Sequence, residues 1–84
     1  IAVGDPETDL LKKEVQDVVR SMNEDITIHD FRLVKGNTHT NVLFDVVVPY
    51  GVKLGAREIR RELNETIKSD KTYYYIINVD NKYV

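Results

Sequence analysis

The sequence predicts an α+β domain with the order α-β-β-α-β, a three-stranded mixed sheet carrying both helices on one face. Three observations carry this. Apolar residues recur at helical spacing in two separate stretches, alternating β-rich residues lie between those stretches, and a run of aromatic and β-branched residues follows the second.

The opening "IAVGDPETD" reads as a linker, residues 1–5, leading into a helix start. Asp5 is placed to cap, Pro6 suits the first helical position, and Glu7 and Asp9 suit the positive end of the dipole. Leu11, Val15, Val18 and Met22 then form one apolar stripe, widened by Leu10 and Val19, with Lys12, Lys13, Glu14, Gln16, Asp17 and Arg20 opposite. This predicts a helix ending near Asn23.

From Ile26 to Val34 the period changes to two, "KGNTHTN" supplies Gly36 and Asn37 for a reversal, and a second strand runs from Thr40 to Val48. Regular alternation puts His29 on one face with Phe31 and Leu33. In the second strand it puts Asp45 with Leu43 and Val47, opposite Val42, Phe44, Val46 and Val48, so both faces of that strand are apolar enough to be covered. Pro49 and Gly51 end it. Ala56, Ile59, Leu63 and Ile67 then mark a second amphipathic helix, and "TYYYIINV" a third strand before the tail "DNKYV". A right-handed β-α-β crossover makes the third strand parallel to the second where they are neighbours. With both helices on one side, the other sheet face is left for a partner.

The bulk numbers narrow the function. A chain of 84 residues is one domain, of a size that gains from a partner or ligand, so a homodimer is expected. The net charge of -2 gives no electrostatic case for nucleic acid. The absence of cysteine removes disulfides and thiolate ligands, so metal chemistry would use His and carboxylate. No apolar run approaches the roughly 20 residues of a membrane-spanning helix, and "IAV" is too short for a signal peptide. An enzyme is not expected: Ser21 and Ser69 lack any motif pairing them with a histidine, and there is no phosphate loop and no H-E-x-x-H.

What remains is a set of charged groups in strands, which either face water or bind something that offsets the cost of burial. His29 reads as a hydrogen-bonded structural residue or a ligand, Asp45 sits in an otherwise apolar strand, and Asp80 ends the third strand as an exposed acid or a ligand. Converging from three strands, they would offer one nitrogen and carboxylate oxygens suited to Zn²⁺ or a similar divalent ion. His39, at the hairpin tip, reads as a solvated turn residue, and Tyr73, Tyr74 and Tyr75 as strand packing or a ligand platform.

The phrase "IHDFRLVKGNTHTNVLFDVVV", followed by a helix and "YYIINVD", resembles the cytosolic C-terminal domain of the cation diffusion facilitator transporters. That domain carries an H-D-[LF]-R phrase on its first strand, has the same element order, and has a ferredoxin-like or metallochaperone-like fold. The resemblance runs from about Asp5 to Asp80, and "GDPETDLLKKEV" is similar to the linker after the last membrane helix. It implies that residues 6–84 are a dimerisation and metal-sensing domain, continuous with a transmembrane domain, of a proton-coupled exporter of Zn²⁺ or a related cation in the cell membrane. By the same resemblance the ligands of the first ion fall on His29, on Asp45 where many members have histidine, and on Asp80. The histidines of a second ion fall on Arg57 and Asn78, which replace them poorly, so at most one ion per chain is implied, Mn²⁺ as readily as Zn²⁺. Two other readings are open: a free-standing metal-binding or metallochaperone-like protein, and a small-molecule sensor or enzyme with a pocket among Tyr73, Tyr75 and the hairpin.

Overall fold

The structure, a computed structural model, describes residues 6–68 and 72–81. The linker at 1–5, the Asp5 cap, Ser69 and the tail past Asn81 lie outside them. The described elements are α1 (Pro6–Met22), β1 (Thr27–Lys35), β2 (Thr40–Val48), α2 (Ala56–Thr66) and β3 (Tyr73–Asn81), the order the sequence predicts. No helix among the described residues is long and apolar enough to cross a membrane.

α1 buries Leu11, Val15, Val18 and Val19, while Met22 is half-buried at its end. Leu10, expected to widen the buried stripe, is instead 65% exposed: it falls on the flank of a helix that touches the sheet with one narrow face. The chain leaves α1 through a turn held by its own polar groups. The Asn23 side-chain oxygen accepts from the Asp25 amide at 2.9 Å, and the Asn23 carbonyl accepts from the Ile26 amide at 3.2 Å. Ile26 is thereby delivered, fully buried, at the mouth of β1.

The sheet order is β1-β2-β3, with β1 antiparallel and β3 parallel to the central β2. Between Pro49 and Val52 the chain turns back with an amide-to-carbonyl bond of 3.2 Å, and Gly51 at φ 89° takes the left-handed position that a side chain would resist. α2 then buries Ile59 and Leu63, with Ala56 and Ile67 half-buried, and its crossover returns β3 to the side of β2 away from β1. β3 is longer than expected, and Asp80 is inside the strand rather than in a tail.

The core lies between the helices and one sheet face. Val42, Phe44, Val46 and Val48 of β2 meet the buried faces of α1 and α2, joined by Ile28 and Tyr75. On the other face of β2, Leu43, Asp45 and Val47 are only half-buried, so the two apolar faces are not equally covered in the single chain. Tyr75 is 2% exposed, its ring centroid 6.4 Å from that of Tyr73, which places it in the core rather than in the ligand pocket of the small-molecule reading.

Burial pushes the Tyr75 hydroxyl up to about 12, with Tyr73 and Glu14 adding to it. The unfolded phenol ionises near 10, so above that pH the unfolded state loses its proton first. The contribution of the neutral buried phenol is complete below about 10 and is lost as pH rises toward about 12. Alkaline melting of the wild type should therefore steepen in that window, and Tyr75→Phe should flatten it. An identical pH dependence for the two proteins would refute the assignment.

Candidate metal centre

β1 is not a regular strand. Opposite β2, Ile28 pairs with Val46 and His29 with Asp45, but the next pair is Arg32 with Leu43, so Asp30 and Phe31 together face Phe44. This is a β-bulge, and Asp30 takes φ 56° within it. The bulge corrects the expectation that His29 shares a face with Phe31 and Leu33. Phe31 stacks on the core residue Phe44, with ring centroids 5.7 Å apart and 27° between planes, and Leu33 pairs with core Val42. His29 stays on the opposite, helix-free face beside Asp45. The sequence does carry a signal for this: the apolar parity is even at Ile26 and Ile28 but odd at Phe31 and Leu33.

Register across the sheet builds the helix-free face in rows. His29, Asp45 and Asn78 form one row, and Thr27, Val47 and Asp80 the next. His29, Asp45, Asn78 and Asp80, with Val47 and Val79, line one open hollow of about 390 Å³. The three sequence-predicted ligands thus reach one place. Asp45 is its centre, with His29 and Asn78 each one strand spacing away, about 4.8 Å. Asp45 is half-buried and the other three are exposed.

The donors are near one another without being gathered. Among the described residues no group of three or more His, Cys, Asp or Glu side chains stands close enough to hold a metal ion. The imidazole Nε2 of His29 instead shares a hydrogen bond of 3.0 Å with the Thr27 hydroxyl. In kind the donor set fits a divalent ion, with one imidazole nitrogen and two carboxylates; in placement it requires side chains to swing inward.

Asn78, which the resemblance sets at a second ion, lines this hollow beside the three expected ligands. Its amide oxygen is a neutral hard donor in the same row as His29 and Asp45, and the clue was its i, i+2 relation to Asp80 on a strand. Arg57 is exposed on the first turn of α2 and does not line this hollow. His39 is an exposed turn residue, its Nδ1 bonded to the Thr38 hydroxyl at 3.1 Å and its ring 6.0 Å from that of Tyr74.

The other end of this face mixes exposed apolar side chains with Arg32 and Asn41. Val34, Asn41 and Tyr74 make one row, and Arg32, Leu43 and Ile76 the next. Val34, Tyr74 and Ile76 are 50%, 53% and 41% exposed, an apolar surface of the kind that marks interaction sites. Comparison with known proteins finds no matching family, no matching curated protein and no matching solved structure.

Proposed function

We propose that this chain is the cytosolic regulatory and dimerisation domain of a proton-coupled divalent cation exporter of the cation diffusion facilitator type. One observation carries the reading: the helix-free sheet face joins an imidazole and two carboxylates at one end to exposed Val34, Tyr74 and Ile76 at the other. His29, Asp45 and Asp80 would hold the ion, Zn²⁺ or Mn²⁺, one per chain, and Asn78 would add an oxygen that favours the harder ion. The domain acts through two copies that pair by this face.

Sensing follows from linkage. An ion shifts a conformational equilibrium only by binding one state more tightly than the other. Donors that lie in one hollow but are not yet gathered provide such a difference, because the ion favours the arrangement that draws them in. Pairing of two copies is the arrangement proposed to be favoured.

The test is sedimentation at micromolar protein with and without Zn²⁺ or Mn²⁺. The wild type should form a homodimer that metal strengthens. Ile76→Glu, which puts a charge among the exposed apolar side chains at that end of the face, should stay folded and monomeric. A wild type monomeric under all conditions, or an Ile76→Glu protein that pairs as well as the wild type, would sink the proposal.

A further inference from the structure

We infer that the bulge at Asp30 and Phe31 positions His29 for the proposed metal centre, so that Asp30 is a positioning residue of that site; the inference rests on the reading above. Asp30 is the one non-glycine residue with positive φ among the described residues, and such a conformation costs energy for a residue bearing a Cβ. The facing of the other side chains does not require residue 30 to be there at all. Without Asp30, strict alternation would still send Ile28, Phe31 and Leu33 to the core and His29, Arg32 and Val34 to the helix-free face. Hydrophobic patterning thus accounts for the bulge once Asp30 is present, by keeping Phe31 and Leu33 on the core face, but not for the presence of Asp30 itself.

Two local effects reach the hollow. A bulge increases strand twist and re-aims the side chains beside it, and His29 immediately precedes this one. Arg32 immediately follows, on the same face as His29, and its Nη1 donates to the Asp30 carbonyl at 2.7 Å. That bond gives the Asp30 carbonyl a partner where the ladder is interrupted, and it ties the guanidinium to its own strand. A guanidinium free to swing over Asp45 would compete with a metal cation for the same carboxylate. The bulge thus sets the backbone from which the imidazole, bonded here to Thr27, would reach the ion, and it restrains a competing positive charge. Because β1 is an edge strand, the rival explanation is that the bulge only discourages edge-to-edge pairing.

The experiment compares the wild type, Asp30→Gly and a deletion of Asp30, by calorimetric titration with ZnCl₂ and MnCl₂ at pH 7.5, by melting without metal, and by sedimentation without metal. Glycine accepts positive φ and keeps the bulge, so Asp30→Gly should bind within about twofold of the wild type. The deletion should melt cooperatively without metal yet bind at least about tenfold more weakly, as loss of a group that orients a ligand does. Should the deletion not fold, Asp30→Val takes its place: a β-branched residue resists positive φ, so it should bind at least about tenfold more weakly and also melt at a lower temperature, because the bulge keeps Phe31 and Leu33 on the core face. Equal affinity of the wild type and the deletion would overturn the inference, as would intact binding accompanied by new metal-free self-association, the signature of an edge guard. Loss in Asp30→Gly as large as in the deletion would make the carboxylate itself the contributor and overturn it too. If the wild type binds neither ion, the metal centre falls and takes this inference with it, whereas binding that is indifferent to the bulge removes the inference alone.

Discussion

Wild-type protein with Zn²⁺ or Mn²⁺ at about a hundred times the dissociation constant is expected to gain roughly 2.7 kcal/mol of stability per site, and His29→Ala to lose most of that gain. His29 is the one nitrogen donor in the hollow, and it stands directly opposite Asp45. Without metal the substitution should cost little, within about 0.5 kcal/mol, because the side chain is exposed and its bond to Thr27 is at the surface. Melting curves of both proteins with and without metal at pH 7.5 separate a ligand from a structural histidine. If His29→Ala keeps the full metal-induced rise, the site as built here is wrong.

Phe44→Ala is expected to destabilise the domain by about 3–5 kcal/mol, with or without metal. Phe44 is 1% exposed, at the centre of β2, and stacked on Phe31 across the bulge. Its loss removes the ring's burial and leaves a cavity that the two helices cannot close without moving. For a domain whose total stability is on the order of 5–15 kcal/mol, that is a large fraction. Urea unfolding should show a lower midpoint with an unchanged slope. A loss below about 1 kcal/mol would mean that the core is not packed around this ring.

The two variants divide the molecule as its physics does. Phe44 acts through the helix-covered face, whose pattern is local and repeats along the chain, and that face was readable residue by residue. Leu11, Val15, Val18, Ile59 and Leu63 are buried as their spacing requires, and the alternation of β2 from Val42 to Val48 separates a covered face from a half-buried one. The parallel direction of β3 followed from the β-α-β crossover once β3 is the neighbour of β2. Leu10 shows the limit of a stripe read by itself, because how much of a helix flank is buried depends on what it packs against.

The sequence by itself therefore determined the element order and the core, since these rest on periodicities of about two and 3.6 residues that any local window contains, whereas that β3 neighbours β2 was left open. Only the tertiary structure decided the candidate site. Which side chains share a row across three strands depends on register, a property of pairings between residues as far apart in the chain as His29, Asp45 and Asn78. The bulge that adds Asp30 changes the parity of β1 after His29, and with it the face that Phe31 and Leu33 occupy, an outcome set by the competition between a strained residue and the burial of two large side chains. The placement of His29, Asp45, Asn78 and Asp80 around one hollow was thus decided by strand register, which no local window of the sequence contains.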